Sequence, residues 1–223
     1  MSVGLTFNRF FTRAGTHPFD ELEWEKRHVV IPDEKTGQVA FEYENIEVPN
    51  SWSQLSTGVM AHKYLRKAGI PGTGAEKSAK QLIFRIAHTI RVEGNQMGYF
   101  ATDEDAEIFE MELTHILIAQ KGAFNSPVLF NCGLSAVYGT EGGPGNWWLD
   151  NEKGEAAEQK DSYLHPQNSA CFIQSVDDDL MSIFELVKNE AISFLGTLAF
   201  IGLGIYGLVE TWRIVSHAFF AGG

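Results

Sequence analysis

The chain has 223 residues, a formal charge of −12 and 44% hydrophobic residues, enough for one domain with a real core or for a domain plus an appendage. Its acidic balance excludes a nucleic-acid polymer as main partner, because phosphate binding needs clustered Lys and Arg, and disfavours docking onto anionic lipid by charge. Two cysteines, Cys132 and Cys171, without CxxC or paired Cys/His spacing, give no zinc site and no disulfide framework, so no metal is expected.

In chain order, "RHVVI" and "QVAFEYENIEV" read as two β segments separated by the turn-rich "PDEKTG". Trp52 to Lys67 reads as a helix with Ser51 or Ser53 as cap, and "AGIPGTGAEK" breaks it. The next helix, about Lys77 to Val92, puts Leu82, Ile83, Ile86 and Ile90 on one face. Thr102 then caps a helix with acids in its first turn and a stripe of Phe109, Leu113, Ile116 and Leu117. "FNSPVLFNCG" reads as a short extended piece, and the Gly-, acid- and aromatic-rich stretch from Tyr138 to Gln167 as a long loop. "SACFIQSV" has the composition of a buried strand, and "DDDLMSIFELVKNEA" that of a helix opened by acids. Strands and helices mix, so the soluble part, residues 1–190, is expected to be α+β.

The tail changes character. Nineteen consecutive residues from Ala191 to Val209 carry no charge, a length of about 28 Å in a helix, close to the hydrocarbon thickness of a bilayer. Its large apolar residues are Ile192, Phe194, Leu195, Leu198, Phe200, Ile201, Leu203, Ile205, Leu208 and Val209, which together favour insertion by roughly 3 to 6 kcal/mol. Tyr206, Trp212 and Arg213 suit an interfacial belt, and the glycines suit close approach of another helix. The pattern predicts one transmembrane helix over 191–215 and a short tail over 216–223. The protein would then be a single-pass membrane protein with its N-terminal part in the cytoplasm, where "MSVGLTFNRFFTRAGTHPF" shows no apolar signal region. Its partners would be the lipid bilayer and other membrane subunits met through the Gly-rich helix.

Four stretches carry a family likeness: "GLTFNRFFTRAGTHPFDELEWEKR", "VPNSWSQLSTGVMAHKYLRK", "GYFATDEDAEIFEMELTHILIAQKGAFNSPVLFNCG" and "SYLHPQNSACFIQSVDDDLMSIFELVKNEA". Over about residues 4–191 the chain resembles the N-terminal region of B12-dependent (class II) ribonucleotide reductases. The resemblance implies a part of a ten-stranded α/β barrel fold. It assigns Cys171 to one half of the redox pair that reduces the ribose, Ser126 and Ser169 to positions around the substrate, and Asp178 to the nucleotide-effector region. Adenosylcobalamin is the cofactor of the full-length family.

After "LVKNEA" the family pattern continues into a glycine-rich segment and most of the barrel, whereas this chain runs into "ISFLGTLAFIGLG". Ribose reduction needs a radical, two thiols and a proton-transferring carboxylate within contact distance, and one matching thiol does not make that set. No cofactor is therefore expected on this chain, and nucleotide binding is doubtful. Cys171 serves equally as a small buried apolar residue, Asp178 as a helix N-terminal acid and Ser126 as turn chemistry. Trp147 and Trp148 suit either a partner anchor or packing within their own loop. Two functions remain open at this point. One is a non-catalytic, membrane-anchored accessory subunit of a respiratory or photosynthetic type of complex; the other is a fragment of a B12-dependent reductase that makes DNA precursors.

Overall fold

The structure, a computed structural model, describes residues 4–33, 35–144, 146–150, 153–169 and 176–189. Two compact units divide the chain, Met1–Asn168 and Ser169–Gly223.

The first unit opens with strand β1 (Trp24–Pro32) paired antiparallel to β2 (Val39–Pro49). Both strands fall where alternating β-branched and aromatic residues predict them. Asp33 shapes the turn by accepting from the backbone N–H groups of Lys35 and Thr36. The register shifts at Arg27/Val29, opposite Asn45, whose φ of 58° lies in the left-handed region that Asn tolerates. The bulge inverts the side-chain alternation of β2. Phe41 and Tyr43 face inward on one side of it, and Ile46 and Val48, both fully buried, on the other.

Helix α1 (Gln54–Val59) is capped by Ser53, whose hydroxyl accepts from Ser56 N–H at 3.0 Å. It continues as one π-helical turn, Met60–Tyr64, closed by Leu65 N–H donating to the Met60 carbonyl. Regular helix therefore ends earlier than the sequence pattern suggests, and Arg66 and Lys67 lie beyond it. Helix α2 (Ala79–Gln96) is capped by Ser78 and buries Leu82, Ile83 and Ile86. It outruns its expected end by passing through Gly94, where a Cβ would come within 2.6 Å of the Phe100 ring. Helix α3 (Asp103–Ile118) starts at the Thr102 cap with Asp103, Glu104 and Asp105 in the first turn, as expected. Of the stripe assigned to it, Leu117 is buried. Phe109 instead joins Phe7 and Phe100 in an aromatic cluster with centroids 5.3–5.9 Å apart.

Two segments differ from their sequence reading. "FNSPVLFNCG" is not extended: it forms helix α4 (Ser126–Asn131), with Asn125 accepting from Val128 N–H and Pro127 in the first turn. Asn as cap followed by an early Pro is a helix-start signal, and it outweighs the β-like apolar residues behind it. A single turn, α5 (Leu134–Tyr138), follows. The long loop contains an antiparallel hairpin, β3 (Asn146–Asp150) with β4 (Glu155–Gln159), turned by Gly154 at φ 68° and closed by Gly154 N–H to Asp150 carbonyl at 2.7 Å.

In the second unit, residues 180–189 are helical. Asp179 caps them, its carboxylate accepting from Met181 N–H at 2.9 Å. The described part of the chain is thus a mixture of helices and two-stranded sheets, an α+β arrangement. Among the described residues no helix is long and apolar enough to cross a membrane. The span expected over 191–215 lies outside them, as do Tyr206, Trp212 and Arg213.

Candidate functional site

The segment carrying Ser126 is held from below by a buried ion pair. Arg85 on α2 and Glu76 in the preceding loop are both fully buried, with Nε 2.8 Å from Oε1. Every face of the pair is used. Glu76 also accepts from Arg66 N–H at 2.8 Å and from the Tyr138 hydroxyl at 3.0 Å, and its own carbonyl accepts from the Tyr43 hydroxyl. The Arg85 guanidinium donates to the carbonyls of Leu129 and Cys132, the end of α4, where unpaired helix carbonyls concentrate negative charge. One ion pair therefore fixes β2, α2, α4 and α5 together. Such a pair is tolerated in an interior when further hydrogen bonds support both partners, and here each nitrogen of the guanidinium and each carboxylate oxygen makes at least one. Gly133 makes the approach possible: at φ +81° it has no Cβ to strike the Arg85 carbonyl, which would lie 2.3 Å away.

On this platform Ser126 opens α4, partly buried, with its hydroxyl 3.3 Å from that of Tyr64. Tyr64 also forms part of an apolar groove of about 540 Å³ whose walls include Trp52, Leu55, Val59, Ile86 and Leu129. Trp52 is oriented by donating its indole N–H to the Ile118 carbonyl at 2.8 Å. Hydroxyls beside an apolar wall suit binding and positioning; they supply no electron donor.

The other residues singled out from the sequence lie elsewhere. Ser169 and Asp178 belong to the second unit, where both are exposed, and Cys171 lies outside the described residues. Trp147 is exposed on the β3–β4 hairpin, whereas Trp148 stacks on His165 at 3.7 Å, packing within its own loop. Cys132 is a free thiol, buried behind α4. Burial pushes it up to about 11, against a smaller opposing effect of Arg85, so at neutral pH it is the thiol and not the nucleophilic thiolate.

Sequence reasoning missed Tyr64 and the Glu76–Arg85 pair. A signal for the pair existed: Arg85 interrupts the apolar face defined by Leu82, Ile83 and Ile86, and a charge at such a position requires a buried partner. Another grouping appears on the exposed face of the first hairpin, where His28, Glu42 and Glu44 bring donor atoms within 4.8 Å. There His28 Nε2 already meets Glu42 Oε1 at 2.8 Å.

The fold and site can now be set beside known proteins. The family model described as class II vitamin B12-dependent ribonucleotide reductase matches residues 25–120, the stretch that holds the first hairpin, α1 to α3 and the buried ion pair. Among curated relatives, the vitamin B12-dependent ribonucleotide reductase of Rhodopirellula baltica is 44% identical over 193 residues, covering 86% of this chain and 18% of the relative. The enzyme of the same name from Streptomyces coelicolor is 40% identical over 195 residues, with coverages of 86% and 17%. That from Agrobacterium fabrum is 36% identical over 225 residues, with coverages of 84% and 18%. The chain spans less than a fifth of the length of these relatives. Its N-terminal region is similar to the corresponding part of class II B12-dependent ribonucleotide reductases.

Three of the cavities among the described residues measure about 540, 400 and 370 Å³, sizes that suit drug-sized molecules.

Proposed function

We propose that this chain acts as the substrate-side N-terminal segment of a B12-dependent ribonucleotide reductase, in concert with barrel residues of the kind that its relatives carry. The observation that carries this reading is the extent of similarity: 86% of the chain aligns at 44% identity with a protein of that name. The same extent favours a reductase over a membrane-anchored accessory subunit, since the membrane anchor of the accessory reading draws its support from residues 191–215, outside most of the similarity.

In this reading Ser126, held on the Arg85–Glu76 platform, contributes a hydroxyl to the bound ribonucleotide, and Ser169 contributes a second. Cys171 is one of two thiols that deliver the reducing electrons. The cofactor, when bound, supplies the radical that activates the ribose. Asp178 and the acids beside it belong to the effector region. Positioning by a rigid platform matters because a reacting group misplaced by about 1 Å costs on the order of a hundredfold in rate.

The test is complementation. The chain is co-expressed with the part of the Rhodopirellula baltica relative that lies beyond the match, and adenosylcobalamin-dependent reduction of ribonucleotides is assayed. Turnover is expected from the pair and from neither piece alone. It should vanish with Cys171→Ser, and Ser126→Ala should raise KM more than it lowers kcat. A pair no more active than the pieces, or a fully active Cys171→Ser variant, refutes the proposal. Retention of the chain in membranes after alkaline extraction, with no complementation, would support the anchored reading instead.

A further inference from the structure

A second cavity, of about 400 Å³, lies in the first unit away from Ser126. It is bounded by the N-terminal arm, the C-terminal half of α2, α5 and the stretch 163–168. Its walls are unusually aromatic: Phe7, Tyr99, Phe100, Phe109 and Tyr163 all contribute. The rings are well anchored. Phe7, Phe100 and Phe109 pack on one another, and Tyr163 is held by Arg66, which donates to its hydroxyl at 3.0 Å.

The polar groups of this cavity are mixed: the hydroxyls of Thr89, Tyr99 and Tyr163 and the ring of His165 line it beside one carboxylate. Glu93 is the single carboxylate of the lining, which has no lysine or arginine. Thr89 and Asn168 also line it, and Oγ1 of Thr89 and Oδ1 of Asn168 are buried with no hydrogen-bond partner. Buried polar atoms are nearly always paired, so two orphans beside one cavity point to a polar ligand, one that brings a donor to Asn168 Oδ1 and a hydrogen-bonding group of either sense to the Thr89 hydroxyl. Aromatic faces attract cations through their negative quadrupole, and a nearby carboxylate adds to that attraction. Volume and lining match a small-molecule site.

We infer that this cavity binds a small organic cation with a flat apolar body, an aromatic amine carrying N–H donors, and rejects anions of the same shape. This site is independent of the reductase reading and survives or fails without it. It also gives the N-terminal arm a role, since Leu5 and Phe7 bring that arm to the cavity wall.

The experiment uses the full chain and two probes sharing one ring, tryptamine and indole-3-acetate, in isothermal titration calorimetry. Tryptamine is expected to bind saturably and indole-3-acetate not at all. Glu93→Gln should weaken tryptamine by about fivefold, the effect of an exposed charge pair. Ala136 lines the cavity from α5 and is itself exposed. Ala136→Trp should therefore fill the space and abolish binding, with circular dichroism and melting unchanged. The inference fails if tryptamine does not saturate, if indole-3-acetate binds equally well, if Glu93→Gln binds like the wild type, or if folded Ala136→Trp still binds.

Discussion

The two hairpins of the first unit make an instructive contrast. β1–β2 is long, bulged at Asn45, and sends Val29, Ile46 and Val48 into the core. β3–β4 is short and regular, pairs Trp148 with Ala157, and leaves Trp147 and Leu149 exposed. The first is a structural wall tied to the buried ion pair through Tyr43. The second is held by its turn, by the Trp148–His165 stack and by buried Gln159, whose side-chain amide donates to the His165 carbonyl at 3.2 Å. Two strands alone are marginal in water, so a hairpin lasts by what it packs against. The difference teaches that the unit's stability resides around Arg85 and Glu76, while the second hairpin contributes surface.

That contrast can be broken or sharpened by measurement. The largest effect is expected from Arg85→Ala, which strands a buried carboxylate and should cost about 3–5 kcal/mol in urea denaturation. Replacing both partners, as Glu76→Leu with Arg85→Met, should recover part of that loss, because no lone charge is left behind. Ile46→Ala in the first hairpin should cost about 2–4 kcal/mol by opening a cavity. Trp148→Ala in the second should cost about 1 kcal/mol or less, the worth of an aromatic contact near the surface. Equal losses in the two hairpins would overturn the comparison.

The smallest effect is a pH dependence. Glu112 accepts from the backbone N–H groups of Phe10, Phe11 and Thr12 and from the Thr12 hydroxyl. Burial raises its pKa, but the hydrogen bonds from Thr12, Phe11 and Phe10 outweigh this and hold the carboxyl below its ordinary value of 4.5. A carboxylate depressed in the folded state stabilises fully above its unfolded pKa, and that contribution is lost as pH falls through the lowered folded value. Protection of the N-terminal arm from amide exchange should therefore decline below about pH 4.5. Glu112→Gln should show weaker protection at neutral pH and a flatter profile.

Where local chemistry and tertiary packing agree, the elements are legible in the residues. The alternation in β2, the Thr102 cap and the apolar face of α2 each follow from short-range rules. α4 was just as local, yet its Asn125 cap was hidden by the β-like "PVLF" that follows. β3–β4 was harder, because "EAAEQ" has little strand propensity and is a strand through its pairing with "NWWLD".

For the site, the motif around Ser126 was visible in one dimension, and its platform was not. Hydrophobic period and capping chemistry act within a few residues, so the sequence by itself determined the first hairpin, α2 and α3, and the likeness to a reductase's opening region. That Glu76 meets Arg85, that Tyr64 meets Ser126, and that five aromatic rings line one cavity beside Glu93 are contacts between distant parts of the chain. Only tertiary structure decided them, because a buried charge or hydroxyl is satisfied by whichever partner the packed fold brings within about 3 Å.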